Sequence, residues 1–284
     1  MIGYEALRNR AAWLDLSARG KIKLTGEDRA RLLHAMTTNH IQQLTPGSGC
    51  YAFFLNDKGR VLADANVLCR PDHFLLDVEP ETREPLYQHL DRFIIADDVT
   101  LEDVTDATAT IAVEGPEAAS VLARAGAPVP EADYSSVDWD HALVARVDST
   151  GSSGFFIFAP AAEKPALISR LEAAGAEPAD AEAARVVRLE HGKPRYGEDI
   201  SERFLAQEAN QPQALHFSKG CYLGQEIVER VRSRGQIHRV LMPLILERKE
   251  PPAPGTKLED ATEITSAAYS PAMDKVVALA YVRK

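Results

Sequence analysis

Between Cys50 and Arg70 the chain reads CYAFFLNDKGRVLADANVLCR, two apolar runs that meet at the polar turn Asn56-Asp57-Lys58-Gly59. Runs of this length split by a glycine-bearing turn predict a β-hairpin. HALVARVDSTGSSGFFIFAP, residues 141–160, predicts a second one. Helix-period stretches flank both hairpins, so the chain must combine sheet and helix.

The flanking elements follow from the same periodicities. Residues 4–14 read as a short helix, with Leu7, Ala11 and Leu14 on one face. KIKLTG (21–26) alternates as a strand and leads into a helix over 27–37, where Thr25 and Asp28 have the spacing of a capping box. HFLLDV is a further strand, and residues 81–93 form a helix after Pro80. From residue 108 the pattern restarts: TATIAVEG is a strand, Gly115-Pro116-Glu117 opens a helix, and 161–174 is amphipathic. This second stretch is a candidate duplicate of the first. Asp180 and Gly192 bracket another helix as N-cap and stop. PPAPG (251–255) is a rigid turn or linker, and beyond Arg239 the chain reads mainly as strands: VLMPLILE, EITSAAYS and VVALAYVRK. The fold class expected is α+β with a small C-terminal β-barrel or β-layer, divided at residues 1–236 and 237–284.

The 284 residues suit one large domain or two to three small ones, and 45% hydrophobic with 26% charged residues is too apolar for a disordered chain. A net charge of -10 argues against a protein that coats nucleic acid, while leaving room for a local basic groove. Cys50, Cys69 and Cys221 form no C-x-x-C pair, which fits free thiols in a reducing compartment and no ready-made metal site. The N-terminal residues lack an apolar signal core, and no window approaches about 18 apolar residues. A cytoplasmic protein with no membrane partner is expected.

One stretch carries chemistry. In HFSKGCYLGQEIVERVRSRG (216–235), Leu223, Ile227 and Val231 recur at a spacing of four, and Gly235 is a stop. A helix over 222–233 would put Cys221 at its N-terminus. There the dipole, together with Lys219, favours the thiolate. Two readings stand for Cys221: a reactive thiol, favoured by the polar neighbours Lys219, Gln225 and Glu226, or a buried inert one. The same region is basic, with Lys219, Arg230, Arg232, Arg234, His238 and Arg239. That cluster is either a solvated face or a seat for an anionic ligand tail.

Asp64 interrupts the apolar run VLADANVL, so it either faces solvent or finds a donor or ligand inside. Arg188 and Glu190 end the helix that starts after Asp180, ahead of HGKPRYG; Arg185 on the same face is accounted for by a surface salt bridge to Glu182.

SKGCYLGQE, taken with four other ordered blocks, resembles the YgfZ-type folate-binding family, relatives of the glycine-cleavage T-protein. The blocks are DLSARGKIKLTGEDRARLLHAMTTN (15–39), GCYAFFLNDKGRVLADANV (49–67), RLEHGKPRYGEDI (188–200) and TSAAYSPAMDKVVALAYVR (265–283). The resemblance implies a ring of α+β domains around a central hole that binds tetrahydrofolate or a one-carbon derivative. It places Asp64 in the block of the T-protein's catalytic carboxylate and matches Arg188 to a folate-contacting arginine, with Glu190, Gln225 and Glu226 beside the cofactor. T-proteins carry paired aspartates where this chain has Ala63-Asp64, a glutamate where STGSSGFFIF has none, and usually no cysteine in the KGCYLGQE block. These differences point to the YgfZ-type branch.

What the resemblance implies for function is a folate-dependent factor for assembly or repair of iron–sulfur clusters. Cys221 would be the working thiol, tuned by Lys219, and would hold at most a transient iron–sulfur cluster with ligands from elsewhere. Partners would be folate and iron–sulfur client or assembly proteins. Two alternatives are a one-carbon (aminomethyl) transferase using Asp64 and a folate-sensing module without catalysis. Nothing in the sequence demands an oligomer, so a monomer is expected.

Overall fold

The computed structural model describes every residue except Gln236 and Ala261. Its first sheet has five antiparallel strands in the order β3-β4-β5-β2-β6: β2 Gly20–Thr25, β3 Gly49–Leu55, β4 Val61–Cys69, β5 Phe74–Val78 and β6 Thr100–Asp103. Helices α2 (Arg29–Met36) and α3 (Arg83–Asp91) cover its outer face. The second sheet has six strands in the order β11-β1-β7-β10-β9-β8: β1 Ala12–Asp15, β7 Thr108–Glu114, β8 Ser136–Trp139, β9 Ala142–Ala145, β10 Gly154–Pro160 and β11 Glu177–Pro178. Helices α4 (Ala118–Arg124) and α5 (Lys164–Ala173) cover it in turn.

The two units share one plan. Each runs strand, helix, three strands, helix, strand, and β3-β4-β5-β2-β6 maps onto β8-β9-β10-β7-β11 once β1 is recognised as an insertion beside β7. The duplicate suspected in the sequence is therefore present in the topology.

Strand alternation decides what each face meets. Along β4, Ala63, Ala65, Val67 and Cys69 pack outward under the helices, while Leu68, and Val61 beyond a register shift at Phe54/Leu55, join Phe53 and Leu55 in the central core. Sheet two contributes Leu14, Ala112, Phe156 and Phe158 to that same core. Helices α1 (Tyr4–Asn9) and α6 (Ala181–Glu190) close it from one side. Burying an apolar side chain stabilises by about 2 kcal/mol, so this shared cluster welds the units together.

The C-terminal strands β12 (Arg239–Leu246), β13 (Glu263–Ser270) and β14 (Lys275–Arg283) form an open sheet in the order β12-β14-β13. Among the described residues this is the β-layer expected there and not a closed barrel: the three strands pair side by side, with β14 in the middle, and one face packs on α6. Closing a barrel takes more strands than this.

Three local expectations are corrected. Residues 4–14 are not one helix: α1 stops at Asn9, and Ala12–Asp15 pairs with β7 and β11, because ladder hydrogen bonds outweigh local periodicity. Asp28 is an N-cap without a side-chain cap bond; its carboxylate instead accepts from the Asp98 amide at 2.9 Å. The helix expected over 222–233 is α7, Gln225–Arg234, preceded by Gly224 in the left-handed region at φ +84. Asp180 does cap α6, accepting from the Ala183 amide at 2.7 Å.

Candidate functional site

Between the inner faces of the two large sheets lies a cavity of about 890 Å³, closed on one side by α6 and the segment after it. Asp64 reaches it because β4 alternates: with Ala63 and Ala65 turned outward, Asp64 and Asn66 must turn inward. The Asp64 side chain is buried, and Tyr51 Oη donates to its Oδ2 at 2.6 Å. Tyr51 lies diagonally across the ladder, since Phe53 pairs with Asp64 and Tyr51 with Asn66. Burial pushes the Asp64 carboxyl up to about 6, Glu79 adds to the rise, and the Tyr51 hydroxyl and Arg19 oppose it. At neutral pH this acid stands close to its own titration point.

Around it runs a chain of paired charges. Arg19 forks onto Asp77 with two 2.8 Å bonds and also pairs with Glu79, while Asn66 Nδ2 donates to Asp77 at 2.8 Å. Burial works against the Arg19 charge, but Asp77 and Glu79 outweigh it and hold the guanidinium protonated. On the facing wall, Glu114 is buried at the end of β7 and accepts from the Ser149 amide and hydroxyl, each at 2.7 Å, and from the Thr150 amide at 2.9 Å. It braces the turn 148–153, which lines the cavity.

The sequence-predicted residues fall into three places. Asp64 and Arg188 both line the cavity. Arg188 is tied down there: it donates to the Lys193 carbonyl at 2.7 Å and to Asp199 at 2.6 Å, and pairs with Glu198. Arg185 pairs with Glu198 at 3.0 Å, not with Glu182, which meets the N-terminal ammonium instead. Glu190 is outside the cavity lining. It accepts from Tyr4 Oη at 2.5 Å, Arg8 at 2.6 Å and Ser270 Oγ at 2.5 Å, joining α1 to α6 and to the end of β13.

The KGCYLGQE block lies apart from the cavity lining, on the α2 side of sheet one, where the Leu223 amide donates to the Ala35 carbonyl at 2.9 Å. Cys221 is exposed and precedes Gly224, so it stands short of the α7 N-terminus, not on it. The turn at Leu223 and Gly224 displaces the helix start that its spacing suggested. Lys219 turns inward and donates to the His34 and Thr37 carbonyls, each at 2.5 Å; burial pulls its pKa down to about 7. Gln225 Oε1 accepts from the Tyr222 amide at 3.1 Å, and Glu226 is exposed beside Arg230 at 2.8 Å. The basic cluster is likewise dispersed among acids, with Arg232 on Glu229 and Arg239 on Glu208. Tyr51, Arg19 and Glu79 escaped the sequence reading. Only the placement of Tyr51 one repeat before Phe53 on the same strand face hinted at an inward hydroxyl.

The cavity thus lies between duplicated sheets, with Asp64 buried among the acids on its wall. Residues 3–219 match the family model described as the GCVT N-terminal domain, and the chain belongs to that family. Among its relatives, an aminomethyltransferase of Rubrobacter xylanophilus is 33% identical over 98% of this chain and 78% of its own length. One of Streptomyces coelicolor is 30% identical over 98% and 79%. The glycine cleavage system aminomethyltransferase T from Bartonella henselae superposes with a TM-score of 0.90 at 22% identity, over 99% of this chain and 80% of that one. That likeness is one of fold. Among the described residues, no helix is long and apolar enough to cross a membrane.

Proposed function

We propose that the chain binds tetrahydrofolate, or a one-carbon derivative of it, in the central cavity, and holds the amine of a one-carbon adduct against Asp64. The observation that carries this reading is a buried carboxyl with a pKa of about 6 on the wall of an 890 Å³ cavity. A cavity of this size suits a drug-sized cofactor, for which about 300–1,000 Å³ is usual. Its surface fits a flat heteroaromatic ring: Tyr51 and Phe156 supply aromatic wall, and Asp64 supplies an acceptor for ring or adduct N–H groups. The names of the relatives agree with one-carbon transfer. Bound tetrahydrofolate would supply the amine that carries the one-carbon unit. Asp64 would accept a hydrogen bond from that amine and, near its titration point, hold or release a proton there. Arg188 would shape the wall through its bonds to Glu198 and Asp199. Titration calorimetry with tetrahydrofolate tests the reading: wild type should bind and Asp64→Asn should bind at least tenfold more weakly. No heat from wild type would end it.

A second reading keeps the same cavity and adds Cys221. In the YgfZ-type role, a folate-dependent factor for iron–sulfur proteins, the exposed thiol would meet a client directly. A cluster held there would draw further ligands from the client, since among the described residues no group of three or more His, Cys, Asp or Glu is placed to hold a metal. Gln225 and Glu226, in the first turn of α7, would then flank the thiol at the docking surface. In cells lacking their native factor, iron–sulfur enzyme activity restored by wild type but not by equally abundant Cys221→Ala would favour this reading. Equal restoration by both would leave the thiol without a role.

A further inference from the structure

Asp64 does not meet the cavity as a bare carboxylate. Its Oδ2 is taken by Tyr51 Oη at 2.6 Å, while Oδ1 has no other side-chain donor among the described residues. The ring of Tyr51 is fixed in turn: it makes an edge contact with Phe53, centroids 5.5 Å apart at 70°, on a strand paired on one side along its full length. Buried phenols take a partner where they find one, which by itself would explain the bond. The arrangement does more than satisfy the hydroxyl, because it occupies one lone pair of Oδ2 and leaves Oδ1 with no side-chain donor among the described residues.

Resting on the folate reading of the cavity, we propose that Tyr51 is the positioning residue of the site: it pins Oδ2 of Asp64 so that Oδ1 is the acceptor offered to an N–H donor of the ligand. The ligand chemistry this selects is a ring or adduct nitrogen bearing a hydrogen, neutral or cationic, in preference to an ether or carbonyl oxygen. The groups facing Asp64 agree with this assignment. Glu79, after β5, disfavours the charged form; Arg19, between β1 and β2, and Tyr51, on β3, favour it; Tyr196, after α6, feels the Asp64 charge as well. Of these, only Tyr51 bonds the carboxylate directly. It keeps Asp64 ionised, and so accepting, at a pH where burial and Glu79 would otherwise protonate it.

The test is Tyr51→Phe, which retains the ring and its packing, with a thermal melt to verify folding. Two readouts are taken: the Asp64 carboxyl midpoint by ¹³C NMR, and tetrahydrofolate affinity between pH 5 and 8. Losing a hydrogen bond to a charged group should raise the midpoint by about one unit and weaken binding about tenfold near pH 5 and about threefold near pH 6.5, with the loss vanishing towards pH 8. An unchanged or lowered midpoint overturns the proposal. So does a loss of affinity equal at every pH, which is what a merely structural tyrosine would give. If wild type fails to bind tetrahydrofolate, the folate reading falls, while the Asp64 midpoint still decides whether Tyr51 tunes this acid.

Discussion

Asp64 is a residue that folding alone would not choose. Its folded pKa of about 6 lies above the value of about 3.9 for a free aspartate, so the native state holds the proton more tightly than the unfolded chain. The stability this lends is fully present below about pH 4 and is lost as pH rises through about 6. In the ligand-free protein, Asp64→Asn should therefore raise stability at pH 7.5 by about 3 kcal/mol and change little at pH 4, as urea melts at the two pH values would show. On the folate reading the same variant should bind ligand more weakly, so stability and binding should move in opposite directions. Asp64 was legible because an acid in an apolar strand has few ordinary explanations. Arg19 was not: its partners Asp77 and Glu79 lie 58 and 60 positions away, and no local pattern announces them. Cys221 attracted the sequence argument through its neighbours, yet Lys219 spends its ammonium on backbone carbonyls.

Helix α7 is held to the β3–β4 hairpin by two glycines without side chains. A Cβ on Gly224 would lie 2.7 Å from the Asn56 carbonyl oxygen, and one on Gly59 would lie 2.8 Å from Ile227 Cβ. Gly224→Ala adds left-handed strain to that collision and should cost about 2 kcal/mol, with α7 protection in hydrogen exchange falling first. At α6 the cap is local, and Asp180→Ala should cost about 1 kcal/mol in a thermal or urea melt. The contrast explains what could be read from sequence. Asp180 caps an amide three residues on and was legible; Asp28 gives its carboxylate to Asp98, 70 positions away, and was not. Both hairpins were visible because turn and strands lie together in the chain. β1 was hidden because its partners, β7 and β11, come from beyond residue 107.

Asp199 ties the third sheet to the rest of the molecule. It is fully buried and accepts from Arg188 at 2.6 Å, the Arg195 amide at 3.1 Å, and the hydroxyls of Thr265 and Ser266, each at 2.5 Å. Arg188→Ala would strip the cation from a buried carboxylate and should destabilise by about 3 kcal/mol or more, losing cavity wall and C-terminal sheet in a single cooperative urea transition. Separate transitions for residues 1–236 and 237–284 would show that the two parts fold independently. The Asp199 contacts also set an order of events on the ribosome. Thr265 and Ser266 follow Asp199 by 66 and 67 residues, and Tyr281, whose hydroxyl donates to the Asp199 carbonyl at 3.0 Å, by 82. At roughly 5–20 residues per second, the nascent protein waits several seconds with this carboxylate short of partners and the face of α6 bare. During that interval the half-made molecule presents an apolar surface to chaperones, so its yield in the cell should depend on them more than the stability of the finished fold would suggest.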